Sequence, residues 1–544
     1  MKLIPDVKYE TVSNILQGKA FEGKVLWLPT VQRDFVWNER KIADFLDSLY
    51  KGYPVGVITL IKTKHDFPKL PVEDRNDDNS SEEKFYVIDG QQRITSLLLM
   101  KNNGGEEKWE LSRSRKIISR NYIGYNPEEA EIKFITRRGT NVANVLKKAI
   151  DYQEIKDDKG KEMAKRILDY KIPMSIINLE FESDEDTDKI YEDIADMFIR
   201  VNSSGVRIGS IEMFLSFFSG AFDKNDIKAK INEIHVRLDK NYSIDLEPIL
   251  RFIFWRLGIT QNDFKPKKFR GAIIKLKEKL KVERKDIIGE LNKCEQVIEN
   301  TFKFFSEELG LNKSVVERFL PSQNIMVPIF AFAYTSDGHI PKKYKDEVIS
   351  WFIISSFYSI YSQSTNSKIQ NDLELFSEGK KEFPFDALTK GKKKSKSIKK
   401  EDITGYYENI EDFSRGERKA SKNYQFLIYT LLHLNGATDF EGNLIKDNKN
   451  IDIHHIFPKK VIDDDDLVND FSNITFISEK SNRVISDSLP EEYLVGYKNK
   501  ELEKHFIPTE RELYKKEKCE DFLNKRAVLI WEAVKKYIND TVKG

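Results

Sequence analysis

Two cysteines in 544 residues exclude a disulfide-built fold, and Cys294 and Cys519 stand far apart in no metal-binding spacing, so reduced thiols and a cytoplasmic protein are expected. The start, Met1-Lys-Leu-Ile-Pro-Asp6, lacks the apolar run and cleavage signature of a secretory signal. No long hydrophobic run is present either. The most apolar segment, residues 348–360, is broken by serines and falls short of the roughly 20 residues a membrane span needs. It reads as a buried helix, and no membrane partner is expected. Charge of one sign is also missing: 90 Lys and Arg face 89 Asp and Glu, a net charge of +1. Any nucleic-acid footprint must therefore come from local clustering. What is abundant is core-forming material, 40% hydrophobic residues with 22 Tyr and 35 Phe. At about 150 residues per domain, that length gives roughly three domains.

Histidine is scarce, 7 in all, yet two are adjacent in Ile451-Asp-Ile-His454-His455-Ile456-Phe457-Pro458. Residues 451–453 read as a short strand, 473–478 as a second, and a polar helix starts near Glu479. An acidic loop, 463–466, lies between the strands. Asn473 follows His455 by 18 residues, and Asn482 follows 9 later. Strand, loop, strand and helix is an order that can grip one metal ion, with a ligand leaving the first strand and another returning from the helix. A base titrating near neutrality and a hard cation are what phosphodiester hydrolysis needs. One imidazole plus one amide oxygen leaves room for water and substrate, which suits Mg²⁺ or Mn²⁺ better than a closed zinc site. The bland counterpart is a histidine pair closing a strand, with asparagines capping turns.

This pattern resembles an HNH (ββα-metal) nuclease, in the variant that ends the GmrSD-type modification-dependent (type IV) restriction endonucleases. The resemblance implies that His454 and Asn482 are metal ligands, that His455 is the general base, and that Asn473 orients it. Many HNH enzymes carry histidine where this chain has Asn482.

Nearer the start, Leu28-Pro-Thr-Val-Gln32-Arg33 is extended, and Asn38 caps a helix with Ile42, Phe45, Leu46 and Leu49 on one face. The helix stops at Gly52-Tyr53-Pro54, and residues 55–61 read as a strand. The loop from about 66 to 84 is charged and solvent-facing. A strand over 85–88 then runs into Asp89-Gly90-Gln91-Gln92-Arg93 and a helix over 94–100. Gly90 permits a tight turn, the new helix offers free N–H groups, and Arg93 matches phosphate oxygens. By physics alone this is one of many strand–turn–helix seats, and a buried arginine–carboxylate network would use the same residues. These segments resemble the GmrS-like half of the same family, a ParB/sulfiredoxin-like fold associated with nucleotide binding and hydrolysis. The resemblance implies phosphate contacts from Gln91, Gln92 and Arg93, help from Asp89 with metal or water, and Arg33 in the same pocket. Arg200 to Glu212 matches that half too, making Asn202 and Gly205 candidates for the pocket wall, though Asn and Gly are also what helix ends use.

From about 214 to 388 the pattern is helical, over 249–257, 269–280, 287–305, 326–334 and 348–362. Phe252, Phe254 and Trp255 read as core. Residues 390–400 contain seven lysines, a linker that could also set Lys392, Lys393 and Lys394 against DNA phosphates. Helices are expected over 424–434, 493–506 and 510–537, the last interrupted near Glu517. The expected architecture is α+β and multidomain. It comprises a ParB-like nucleotide-binding domain (1–215), a helical spacer or specificity region (216–388), a basic linker (389–401) and an HNH nuclease domain with flanking helices (402–544). By resemblance, the chain binds and hydrolyses a nucleoside triphosphate and cuts modified foreign DNA with Mg²⁺ or Mn²⁺. Homodimerisation is left open. Two other readings remain: a nucleotide-switched, partition-like DNA-binding regulator with an inactive nuclease site, and a nuclease without NTP turnover.

Overall fold

The computed structural model describes residues 5–17, 20, 26–29, 37, 39–64, 69–71, 83–102, 122–126, 131–135, 158–179, 197, 211, 214–215, 225–265, 268–283, 286–362, 365–376, 381–390, 395–408, 420–440, 442–445 and 451–541. Two compact units divide it: Met1–Asn225 with Lys265–Ile273, and Asp226–Phe264 with Ile274–Gly544.

The first unit is built on β1 (Asp6–Thr11), α1 (Val12–Gln17), β2 (Leu26–Pro29), α2 (Glu39–Lys51), β3 (Ile58–Thr63), β4 (Lys69–Pro71), β5 (Lys84–Asp89), α3 (Gln91–Asn102), β6 (Tyr122–Asn126), β7 (Glu131–Ile135), α4 (Asp158–Asp169) and β8 (Lys171–Leu179). Six strands form one mixed sheet in the order β1-β8-β3-β5-β2-β4, and β6 pairs with β7 apart from it. β8 runs antiparallel to β1 and parallel to β3. β5 runs antiparallel to β3 and parallel to β2. Central β3 buries Ile58, Leu60 and Ile61 on both faces, as a strand flanked on each side must, whereas β1 exposes Val7 and Tyr9. Helix α2 buries Ile42, Phe45, Leu46 and Leu49, the stripe its sequence predicts, in one core with Leu60, Val87, Leu97 and Met174. β3 starts at Ile58 rather than at 55, because Gly56 takes a left-handed φ of 82° that no strand accommodates.

In the second unit, helices between 225 and 373 pack against the helix at Lys422–Leu434, and the C-terminal part has a core cluster of its own around Ile456, Phe457, Phe522 and Leu523. The helices include α5 (Asn225–Tyr242), α6 (Leu246–Arg256), α7 (Ile287–Leu309), α8 (Lys313–Arg318), α9 (Met326–Thr335), α10 (Lys345–Phe357) and α11 (Lys422–Leu434). Phe252 and Phe254 are buried, as expected of core. Every residue of α10 from Val348 to Phe357 is buried, which accounts for the apolar run without a membrane, and no helix among the described residues is long and apolar enough to cross one. Phe305 packs on Phe352 at 4.3 Å and Phe352 on Phe426 at 5.9 Å. Of the lysine-rich segment, Lys392, Lys393 and Lys394 lie outside the described residues. Ile398 in it is buried, with Asn539 donating to its carbonyl and accepting from its N–H.

The C-terminal part has the expected order: β9 (Ile451–His455), antiparallel β10 (Ile474–Ser478) and α12 (Glu479–Ile485). Two expectations change. Part of the acidic loop is a single-turn helix, Asp465–Val468, because Asp464 accepts from the N–H groups of Asp466 and Leu467 and caps it. The helix expected over 493–506 is split into Pro490–Tyr493, a 3₁₀ turn Leu494–Gly496, and Asn499–Lys504. The last long helix, α13 (Cys519–Val534), follows two 3₁₀ turns, the second of which includes Glu517.

Candidate functional site

In the first unit, β5 delivers Asp89 to a turn at Gly90, and α3 begins at the next residue. Gly90 has φ 97°, and a Cβ there would lie 2.7 Å from Ile58 Cγ1, so two independent constraints demand glycine. The first N–H groups of α3 have no intrahelical acceptor by construction and carry its positive dipole end. Gln91 and Gln92 are buried. Gln92 Oε1 accepts from the N–H of Trp37 at 3.1 Å. Gln91 Oε1 is buried with no hydrogen-bond partner among the described residues. Arg93 turns inward: it donates to Val55 O at 2.7 Å, to Val57 O at 3.0 Å and to Asp89 Oδ2 at 2.8 Å. Of the residues expected at this pocket, Asp89, Gly90, Gln91, Gln92 and Arg93 are thus brought together, while Arg33, Asn202 and Gly205 lie outside the described residues.

In the second unit, the hairpin pairs Thr475 with His454 and Ile474 with His455. Alternation along β9 puts Asp452 and His454 on one face and His455, at the strand's end, on the other. His454 is 2% exposed. Its Nδ1 lies 2.9 Å from Asn482 Oδ1, and its Nε2 lies 3.0 Å from the Tyr493 hydroxyl. Burial, aided by the neighbouring His455 and Arg526 and opposed by the Asn482 contact, pushes its pKa down to about 4. Burial, with the charge of Lys459, takes His455 to about 4 as well. Both imidazoles are therefore neutral at pH 7, the state in which one can hold a cation and the other can accept a proton, but His455 titrates below the near-neutral value expected of the base.

Asn473 is fully buried and serves the backbone. Its Oδ1 accepts from the N–H of Phe457 at 2.8 Å, and its Nδ2 donates to Phe457 O and Val468 O, both at 3.0 Å. The N–H of Ile456 donates to its carbonyl at 2.8 Å. It holds the exit of β9 from both sides and thereby sets where His455 sits, acting through the main chain and not through the ring. Beneath it, buried Arg526 donates to Ser472 O, Ile474 O and His505 O at 2.6, 2.8 and 3.1 Å, and burial lowers its pKa to about 9.

Residues 12–219 match the family described as GmrSD restriction endonuclease, N-terminal domain. The match covers every strand of the sheet except β1, and the Asp89–Arg93 turn, but not the hairpin. The chain is also 23% identical over 353 residues to the uncharacterized protein MJ0686 of Methanocaldococcus jannaschii, which takes in 60% of this chain. The chain spans about half the length of that relative, 53% of it.

Among the described residues no three His, Cys, Asp or Glu side chains cluster as metal ligands, so a cation here would rest on a mixed donor set. His454 and Asn482 fit one. In an octahedral Mg²⁺ or Mn²⁺ site with bonds near ~2.1 Å, adjacent ligand atoms lie about 3 Å apart, the spacing seen between Nδ1 and Oδ1. The far side of the ring fits too. The Tyr493 hydroxyl donates to Ile456 O at 3.2 Å, so it can accept an N–H from Nε2 and leave the Nδ1 lone pair for a cation.

Three neighbours escape a reading of motifs alone. Asp452 lies 3.5 Å from Asn482 Nδ2, and Arg318 NH2 lies 3.5 Å from Asp452 Oδ1. Tyr493 is the third. The Ile-Asp-Ile-His alternation carried a signal for Asp452, since alternate strand residues share a face. Arg318 and Tyr493 are distant in sequence and carried none.

Proposed function

We propose that the chain is a metal-dependent DNA endonuclease of the restriction class, with the HNH site at β9, β10 and α12 and a nucleoside triphosphate site at the Gly90 turn. The observation that carries this reading is His454 Nδ1 at 2.9 Å from Asn482 Oδ1, with Tyr493 placed to take the opposite ring nitrogen. A bound Mg²⁺ or Mn²⁺ would act as a Lewis acid, stabilising charge on the phosphate and the leaving oxygen. His454 and Asn482 are the residues that would hold it. His455, half-buried and neutral at pH 7, accepts the proton of the attacking water. Asn473 fixes the backbone from which His455 projects. DNA, in modified form, is the proposed substrate, and homodimerisation remains a proposal.

At the other site, the positive dipole end of α3 at the Gly90 turn supports an anionic ligand. A reading without NTP turnover is favoured by one observation, the three inward bonds of Arg93, which leave that guanidinium committed to the fold.

Cleavage of modified and unmodified DNA, with and without each NTP, in Mg²⁺ or Mn²⁺, tests both. His455→Ala is expected to lower cleavage by about 10²–10⁴-fold, the usual contribution of a general base. Unchanged cleavage would remove His455 from the reaction. Wild-type protein that binds no NTP would leave the Gly90 turn a purely structural element.

A further inference from the structure

We propose that Asp452 and Arg318 belong to the cleavage site: Asp452 fixes which end of the Asn482 amide faces His454, and Arg318 holds Asp452 while offering its exposed side to the substrate phosphodiester. The inference rests on the nuclease reading of the hairpin. An amide side chain has a donor end and an acceptor end of nearly the same shape, and its surroundings decide which points where. Asp452 Oδ2 stands 3.5 Å from Asn482 Nδ2. A carboxylate only accepts, so the nitrogen belongs on its side and the oxygen is left facing His454. Were the amide inverted, an N–H would point into the His454 lone pair, where a cation has to sit. The 3.5 Å separations are long for hydrogen bonds, so the coupling is mainly Coulombic and acts over the whole group.

Arg318 comes from α8, far from the hairpin in sequence, yet it is placed there twice over. Its NH1 donates to Ile451 O, the first carbonyl of β9, at 2.5 Å. The guanidinium also lies 4.9 Å from the ring of Phe319, which packs edge-on against Phe476 of β10 at 5.0 Å. The side chain is nevertheless 41% exposed. A half-exposed guanidinium tied beside a cation site is suited to a phosphate oxygen. The two charges must act oppositely on a bound cation: the carboxylate favours it and the guanidinium opposes it.

The test uses the full chain, Mn²⁺ titrated by electron paramagnetic resonance, and a labelled DNA duplex titrated in EDTA at several salt concentrations. Asp452→Asn is expected to weaken Mn²⁺ binding about tenfold or more, as loss of a group supporting a metal ligand does. Arg318→Gln is expected to strengthen Mn²⁺ binding several-fold, to weaken the duplex, and to lower the slope of log affinity against log salt by about one. The inference is overturned if both substitutions weaken Mn²⁺ alike, as damage to the strand would, if Asp452→Asn binds Mn²⁺ like wild type, or if Arg318→Gln leaves DNA affinity unchanged. His454→Ala separates this from the underlying reading: wild-type protein that binds no Mn²⁺, or a His454→Ala variant that binds it equally, removes the metal site itself.

Discussion

Asn473 shows how one buried amide can govern a reacting group it does not touch. Its three side-chain bonds all go to main-chain atoms of Phe457 and Val468. Asn473→Ala strands those groups in a dry interior, where each unmet partner costs about 1–3 kcal/mol, so chemical denaturation should show the second unit weakened by at least ~2 kcal/mol. Arg526 behaves similarly. Arg526→Met would leave the Ser472, Ile474 and His505 carbonyls without their donor, and a loss of about 3 kcal/mol is expected by the same measurement. At this scale the sequence was readable where residues lie close along the chain. His454, His455, Asn473 and Asn482 were named through the family resemblance their spacing carries, and His454 and Asn482 do meet. The inward course of Arg93 was not readable, because its acceptors are carbonyls of Val55 and Val57, and a carbonyl leaves no mark in a sequence.

At the scale of elements, strands and helices with a clean period were legible: β5, β9, the stripe of α2 and the apolar α10 fall within a few residues of where their patterns put them. The breaks were harder. Gly56 ends the approach to β3 with a left-handed residue, and Asp464 starts a helical turn inside what reads as an acidic loop. Both are single-residue decisions by the backbone. Gly90 is the sharpest example. Gly90→Ala would force both a strained φ and a 2.7 Å contact with Ile58, and thermal unfolding should show the first unit losing about 1–3 kcal/mol. Phe319 is the corresponding point in the second unit, packed on Phe476 at 5.0 Å and on Tyr429 at 6.4 Å. Phe319→Ala should cost about 3–5 kcal/mol of unfolding free energy.

Across the whole molecule, the boundary drawn from composition at residue 388 marks a change of sequence character, while the packing runs through it. Sequence shows where lysines collect, but not that Ile398 among them is buried against Asn539. The second unit also carries a pH signature. His505 is buried between Thr475 Oγ1 at 2.8 Å and Thr438 O at 2.7 Å, and burial lowers its pKa to about 4. A depressed histidine pKa means that the unfolded chain binds the extra proton first. Its contribution is therefore intact above about pH 6.5 and is lost progressively as the pH falls towards 4, by up to about 1.4 kcal/mol per pH unit. Calorimetry from pH 7.5 to 4.5 should show the melting temperature falling with acid, and His505→Gln should make that fall shallower, with His454 and His455 supplying the rest.

The sheet of the first unit has a temporal consequence. β1 leaves the ribosome well before its partner, β8, which must then slide between β1 and β3. Until then the nascent chain presents two bare strand edges, so premature termination before Lys171 yields a sticky fragment, and complete translation is what seals the sheet.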